Sequence, residues 1–169
     1  PAVPAGSVGP DDAVIDVALT ARPGQPAAAL VLALAAEQGA DVAGGLFETL
    51  GRESVVLVTD AMAAAGMPDG DYVLGPAAVT VADGVARLTE GGAIAGGTAH
   101  LIDVVRTTWR GGVDLVDAVY AASCQGAEIL GDRSIGALEP GRWADLVVTD
   151  AELAPVRVLR RGEAVASSL

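Results

Sequence analysis

The feature that most constrains the fold is a short apolar run that ends in an acid, within residues 54–66 (SVVLVTDAMAAAG). Residues 55–58 are all apolar and mostly valine, a pattern typical of a strand buried on both faces of a parallel sheet. Asp60 follows at the carboxyl end of this strand, where α/β folds bind their ligands. Asp60 is therefore a candidate site residue. The alternative is that it caps a following helix, since aspartate is a favoured N-cap residue.

The composition excludes several classes of function. The chain has 169 residues and a formal net charge of −12, and all 10 of its basic residues are arginine. This acidic balance predicts no nucleic-acid partner and no anionic membrane surface, because both require positive charge. The sequence contains no apolar stretch of about 18 residues, so we expect no membrane-spanning helix.

Few residues could build a classical metal site or a covalent centre. His100 and Cys124 are the only histidine and cysteine, which excludes a histidine-rich or cysteine-rich zinc site within this chain. Without lysine, a Schiff base is excluded as well. His100 could be a ligand or a base, or a surface or packing residue, whereas Cys124 is expected to be a small core residue. A single cysteine fits a reduced, cytoplasmic setting.

The first part of the chain predicts a parallel βαβ unit. A strand is expected at 13–19, a helix at 27–38 and the strand that leads to Asp60 at 55–58, with a possible short helix at 46–50. The helix at 27–38 is predicted from its strong helix formers. Because it is apolar nearly all round, we expect other structure to cover it.

After Asp60 the pattern changes to short strands and then to helices. An antiparallel insertion is expected at about 71–90, with strands at 71–74, 77–82 and 85–88. Helices are predicted at about 100–109 and at 115–130, the second between an Asp114 cap and Gly131. A turn at 139–141 and strands at 144–149 and 156–160 complete the pattern. We therefore divide the chain into an α/β part, 1–130, and a small β part, 131–169.

Three further features allow simple structural interpretations or functional ones. The loop 91–98 (GGAIAGGT) could contact a ligand through its backbone, or serve as a hinge or a close-packing segment; it matches neither phosphate-binding motif. Asp145 is expected to accept hydrogen bonds within a turn. Arg160 and Arg161 are interpreted as a solvated pair, with a phosphate clamp as the alternative.

Three stretches together resemble one family. VLVTDAMAAAGMPDGDYVLG and AVTVADGVARLTEGGAIAGGT resemble the C-terminal half of N-acetylglucosamine-6-phosphate deacetylases. GALEPGRWADLVVTDAEL is similar to the closing segment of the wider amidohydrolase superfamily. The resemblance runs from about residue 54 to 165. It implies an α/β fold that is the C-terminal part of a (β/α)8 TIM barrel, incomplete here, with a small β-sandwich appendage.

The resemblance also implies a reaction. It implies metal-dependent deacetylation of N-acetylglucosamine 6-phosphate in amino-sugar catabolism, with zinc or a similar divalent metal as cofactor. Asp60 would be the general acid/base beside a metal-activated water. The backbone of Ile94, Ala95, Gly96 and Gly97 would line the pocket for the substrate acyl group. The family usually has serine where Gly97 stands.

The chain departs from the family in what precedes Asp60. A complete barrel needs about 250 residues, and the half that carries the family's metal ligands has no counterpart in this sequence, so no metal ligand is assigned. We therefore expect weak metal binding and poor turnover from the isolated chain. Two alternatives remain: a non-catalytic module that self-associates or pairs with a missing barrel half, or a truncated product without a function of its own.

Overall fold

The chain is an α/β protein in a computed structural model that describes residues 18–19, 30–33 and 39–165, with side chains from residue 43 onward. The strands in this part form three sheets of three strands each. In chain order, the elements are β1 (Ala18–Leu19), β2 (Leu30–Ala33), α1 (Gly39–Leu50), β3 (Val55–Val58), β4 (Gly70–Leu74), β5 (Ala77–Ala82), β6 (Val85–Leu88), α2 (Leu101–Arg110), α3 (Leu115–Ala122), α4 (Cys124–Leu130), β7 (Leu146–Thr149), β8 (Pro155–Arg160) and β9 (Glu163–Ala164).

The first sheet contains the predicted parallel unit, but its elements lie later in the chain. β2 pairs in parallel with β3, from Leu30 opposite Val55 to Ala33 opposite Val58, and α1 connects them. The helix predicted at 27–38 is therefore wrong at 30–33, and the rest of that range lies outside the described residues. A run that is apolar all round carries no period, so a buried strand and a buried helix look alike in sequence. Of the strand predicted at 13–19, residues 18–19 are confirmed as β1 and the others lie outside the described residues.

The main core lies between the first sheet and the helices. Val55 and Leu57 of β3 are 0% and 2% exposed. The residues packed with them are small or aliphatic apart from one phenylalanine, and are contributed by α1, α2, α3 and two connecting segments: Ala43, Phe47, Val104, Val105, Val113, Ala118, Ala121 and Leu153. Alanine at the helix contacts lets the backbones approach closely, which suits a chain with few aromatic residues.

The second sheet contains the three antiparallel strands predicted at 71–74, 77–82 and 85–88, and their role as an insertion stays a prediction. β4, β5 and β6 pair in sequence order, and Val79 and Val81 of β5 are buried on one face. The β5–β6 turn has Asp83 at φ 51° and Gly84 at φ 73°. This pair of left-handed residues is the turn that matches the twist of a two-residue hairpin.

The helices begin and end largely where the sequence predicts. The Asp114 carboxylate accepts a hydrogen bond from the Val116 N–H at 2.8 Å, and Gly131 ends α4 in the left-handed conformation, so both caps are confirmed. The single helix predicted at 115–130 is wrong, because the backbone leaves helical geometry at Ser123 and separates α3 from α4. In the part of the chain that the structure describes, no helix is both long and apolar enough to span a membrane.

The third sheet consists of β7, β8 and β9 in antiparallel order. The strands predicted at 144–149 and 156–160 and the turn at 139–141 are confirmed with small shifts at their ends. The loop between β7 and β8 is held against α2, because the Arg106 guanidinium donates hydrogen bonds to the Glu152 and Leu153 carbonyls. The division of the chain near residue 130 stays a prediction.

Candidate functional site

Asp60 lies just beyond the carboxyl end of β3, and its side chain is exposed. Its backbone is left-handed, with φ 47°, which is uncommon for a residue other than glycine. No helix follows directly in the described chain. Residues 62–67 instead form turns, in which Ala65 N–H donates to the Met62 carbonyl at 2.9 Å. The interpretation of Asp60 as a helix cap is therefore wrong, and its carboxylate stays at the strand end.

The glycine-rich loop lies against the same strand end. Gly97 N–H donates to the Asp60 carbonyl at 2.7 Å, and the Met62 N–H donates to the Gly97 carbonyl at 2.9 Å. Ala61 and Gly97 thus form a parallel bridge between two segments that are far apart in sequence. The structure places the candidate acid and the candidate acyl-pocket segment side by side, as the resemblance implies, although their roles stay predictions.

The loop presents backbone to this junction because its apolar side chains pack elsewhere. Ala95 is 4% exposed and belongs to the cluster beneath the second sheet, where its N–H donates to the Ala86 carbonyl at 2.9 Å. Ile94 forms an antiparallel bridge with Arg87 of β6. Gly96 has φ 90°, which favours glycine. The loop 91–98 is therefore a close-packing segment at least in part, and its contact with a ligand through the backbone stays a prediction.

Gly97 fits where a larger residue would not. A Cβ built at Gly97 would lie 1.9 Å from the carbonyl oxygen of Thr59, far inside van der Waals contact. The serine that the family usually has at this position could not occupy this backbone without a shift of the loop or the strand end. Sequence reasoning did not anticipate the Thr59 contact, because the two residues are 38 positions apart in the sequence.

His100 has a structural role in the described chain. It precedes α2, and its N–H donates to the Asp103 carboxylate at 3.1 Å, which is half of a capping box. Its ring lies over Gly66, where a built Cβ would approach the ring Cε1 to 3.0 Å. These contacts support the packing interpretation.

The described residues do not fit a divalent metal. No cluster of three or more histidine, cysteine, aspartate or glutamate side chains is close enough to hold one ion in the part of the chain that the structure describes. A catalytic zinc needs about three protein ligands. The implied metal would therefore need ligands beyond these residues.

The other residues singled out in the sequence have local partners. Cys124 is half-buried and its thiol donates to the Gly136 carbonyl at 2.7 Å, so the prediction of a core cysteine is wrong. It lines a groove of about 610 Å³ together with Tyr120 and Glu128. Asp145 accepts a hydrogen bond from the Arg161 N–H at 2.6 Å, so its partner lies 16 positions away in the turn between β8 and β9 and not in its own turn as predicted. The Arg161 guanidinium lies 4.4 Å from the centre of the Trp143 ring.

A parallel βαβ unit with an exposed acid at the carboxyl end of its last strand defines an α/β protein, and such folds bind their ligands at this edge. The sequence profile of the Amidohydrolase family matches residues 31–167. The chain belongs to this family.

Several proteins with similar sequences are named as deacetylases of amino-sugar phosphates. The chain is 40% identical over 114 residues to N-acetylgalactosamine-6-phosphate deacetylase of Escherichia coli O157:H7, which is 66% of this chain and 30% of that protein. It is 36% identical over 113 residues to N-acetylglucosamine-6-phosphate deacetylase of Vibrio furnissii, which is 66% of this chain and 28% of that protein. A shorter protein of Escherichia coli (strain K12), whose name assigns it provisionally to the first activity, is 40% identical over 114 residues, or 66% of this chain and 68% of that protein.

Solved structures of N-acetylglucosamine-6-phosphate deacetylases are also similar to this chain. N-acetylglucosamine-6-phosphate deacetylase of Thermotoga maritima matches with a TM-score of 0.73 and 31% identity, over 82% of this chain and 39% of that chain. A mutant of the Mycobacterium smegmatis enzyme in complex with N-acetyl-D-glucosamine-6-phosphate matches with a TM-score of 0.70 and 36% identity, over 82% of this chain and 37% of that one. Apart from the shorter Escherichia coli protein, these relatives are spanned over 28% to 39% of their length.

Proposed function

We propose that this chain is the C-terminal part of a (β/α)8 barrel deacetylase. Its substrate would be an N-acetylated amino sugar 6-phosphate, from which the enzyme removes the acetyl group. β2, α1 and β3 would be part of the barrel wall, and the third sheet would belong to the β-sandwich appendage. The names of the relatives support the substrate class. The observation that carries the proposal is the junction at which Gly97 donates to the Asp60 carbonyl at 2.7 Å.

In this proposal Asp60 carries the proton. Hydrolysis adds a water oxygen to the acetamide carbonyl carbon and breaks the C–N bond, giving acetate and a free amine. A carboxylate at the strand end can accept the proton that the water loses and then deliver it to the departing nitrogen. Its exposed position suits this exchange, because the group must reach both water and substrate.

The loop would hold the acyl group beside that acid. The backbone of Ile94, Ala95 and Gly96 lies next to the strand end through the Ala61–Gly97 bridge. Backbone N–H and C=O groups there would hydrogen-bond the acetamide of the substrate. We place this activity in cytoplasmic amino-sugar catabolism, a setting consistent with the single cysteine of the chain.

The metal ligands must be supplied from outside the described residues, since those residues do not fit a metal.

A second candidate function follows from the sheet order β1-β2-β3, in which β3 is an edge strand within the described sheet although Val55 and Leu57 are fully or almost fully buried. An apolar edge strand favours pairing with another chain. The chain would then be an assembly module that pairs with itself or with a barrel half.

The test is acetate release from N-acetylglucosamine 6-phosphate and N-acetylgalactosamine 6-phosphate with zinc present. We expect negligible turnover by the chain alone and turnover after mixing with the remaining N-terminal part of the Mycobacterium smegmatis enzyme. Asp60→Asn should lower that turnover by about 10²-fold or more, the usual contribution of a general acid/base. Asp71→Asn is the matched control, because that carboxylate contacts Thr80 on the second sheet.

Two outcomes contradict the proposal. Turnover that survives Asp60→Asn would remove Asp60 from the reaction. One zinc ion bound per chain, together with rapid turnover by the chain alone, would contradict the inference that the metal ligands lie outside the described residues. Light scattering at several concentrations separates the second candidate: self-association without turnover in any mixture favours an assembly module, and a monomer at all concentrations contradicts its self-pairing form.

A further inference from the structure

We propose that Asp69 is a positioning residue for the candidate site, because its carboxylate fixes the β5–β6 turn, to which the glycine-rich loop is attached through Thr98. The role of that loop in holding the acyl group rests on the proposed function. The contacts themselves belong to the folded chain and can be tested without any activity.

The Asp69 carboxylate binds two successive backbone N–H groups of the β5–β6 turn. One oxygen accepts from the Asp83 N–H at 2.7 Å, and the other accepts from the Gly84 N–H at 3.1 Å. Both turn residues are left-handed, with φ 51° and 73°. Successive N–H groups in a turn form a concavity that binds an anion. The turn is therefore held by a residue that precedes β4, 14 positions before Asp83 in the chain.

The same turn holds the segment that adjoins the candidate acid. The Thr98 hydroxyl donates a hydrogen bond to the Gly84 carbonyl. The preceding residue, Gly97, donates its N–H to the Asp60 carbonyl at 2.7 Å. Gly84 thus bonds Asp69 through its N–H and Thr98 through its carbonyl, so that it connects the Asp69 carboxylate to the part of the loop that lies at the end of β3.

The turn depends on this carboxylate because its own residues are exposed. Residues 82–84 are all on the surface, so apolar burial does not hold them in place. Asp83 also has a left-handed backbone, which residues other than glycine seldom adopt. Loss of the Asp69 carboxylate should therefore let the turn move. Because Thr98 is only half-buried and is bonded to that turn, the segment 97–98 should move with it.

Hydrogen exchange of the unmodified chain and of Asp69→Ala tests this connection. We expect the Gly97 amide to exchange at least about fivefold faster in the variant. The Ala95 amide should keep its protection, because Ala95 is buried and bonds to β6 and not to the turn. The control is Asp71→Ala, since Asp71 is also on the second sheet but contacts the Thr80 hydroxyl. Unchanged exchange at Gly97 in a folded Asp69→Ala variant, or equal acceleration at Ala95 or in the control, overturns the proposal.

Thr98→Val keeps the proposal testable if Asp69→Ala does not fold. This change removes the hydroxyl that bonds Gly84 at nearly the same volume and leaves the bonds between Asp69 and the turn in place. The Gly97 amide should again exchange faster, whereas the amides of Asp83 and Gly84 should be unchanged. Unchanged exchange at Gly97 in Thr98→Val overturns the proposal.

Turnover in the mixed enzyme described above separates positioning from a purely structural role. Asp69→Ala should lower kcat about tenfold with little change in KM, because orientation is lost and not a contact with the substrate. Asp69→Asn keeps one acceptor oxygen and should recover part of that loss. The double variant Asp69→Ala/Thr98→Val should lose no more than the larger single variant, since both changes break one connection. Additive losses overturn the proposal.

Failure of the proposed function would look different. A mixture that is inactive even with the unmodified chain contradicts the deacetylase activity. The exchange of the Gly97 amide in Asp69→Ala and Thr98→Val then still decides whether Asp69 positions this segment.

Discussion

Substitution of Arg106 tests how much the contacts between α2 and the β7–β8 loop contribute to the stability of the chain. Its guanidinium joins α2 to the loop that precedes β8, donating to the Glu152 carbonyl at 2.9 Å and to the Leu153 carbonyl at 2.8 Å. It also contacts the Asp103 carboxylate at 2.5 Å. Arg106→Met removes these donors and keeps most of the apolar stem. We expect this change to release the loop and with it the buried Leu153 side chain.

The size of the effect follows from the number and burial of the lost contacts. A hydrogen bond from a charged donor contributes about 1.5–3 kcal/mol. The side chain of Arg106 is 21% exposed, so water can replace part of each bond. We therefore expect a loss of about 2–4 kcal/mol in the free energy of unfolding. The control is Arg110→Met, which removes only a 3.4 Å ion pair to Glu152 between side chains that are 60% and 74% exposed, a change of at most about 1 kcal/mol.

Urea unfolding followed by circular dichroism measures both variants. Hydrogen exchange at Leu153 and Ala154 reports the loop directly, since the Ala154 N–H donates to the Asp150 carboxylate at 2.8 Å. Faster exchange there in Arg106→Met alone would confirm the release of the loop. Equal losses of stability in the Arg106 and Arg110 variants, with unchanged exchange, would refute the reasoning.

Two other predictions concern polar groups in the helices. Thr108 is fully buried and its hydroxyl has no partner among the described residues, so Thr108→Val should stabilise the chain by about 1 kcal/mol in urea unfolding; a loss of similar size would contradict this, and Thr107→Val is the half-buried control. Burial and a 3.0 Å hydrogen bond to the Glu128 carboxylate raise the pKa of Tyr120 above 10.0. The stabilisation from this site is complete below that ordinary value and is lost as the pH rises through the raised pKa. Tyr120→Phe should therefore reduce the alkaline loss of stability in urea unfolding at several pH values, and an unchanged profile would contradict the assignment.

Local signals located most of the elements that follow Asp60. The turn residues Asp83 and Gly84 predict their hairpin, because only left-handed backbones match the twist of its strands. Asp114 and Gly131 predict helix ends for similarly local reasons. The prediction failed at 30–33, where alanine and leucine favour a helix locally, and pairing with β3 decides for a strand.

For the site, the sequence indicated the two parts but not how they fit. Asp60 stood out because an acid follows a buried strand, and the resemblance implied that residues 94–97 lie near it. The close contact of Gly97 with Thr59 could not be predicted, since it depends on where a distant loop lies against the strand end.

What the sequence determined by itself was therefore local: the apolar strand, the turn and cap residues, the acidic surface and the family motifs. Only the tertiary structure decided which apolar run became β2, that no helix directly follows Asp60, and that the Gly97 N–H donates to the Asp60 carbonyl. The physical reason is that local preferences differ by less than about 1 kcal/mol per residue, whereas burial and backbone pairing with distant segments contribute more in total and override them.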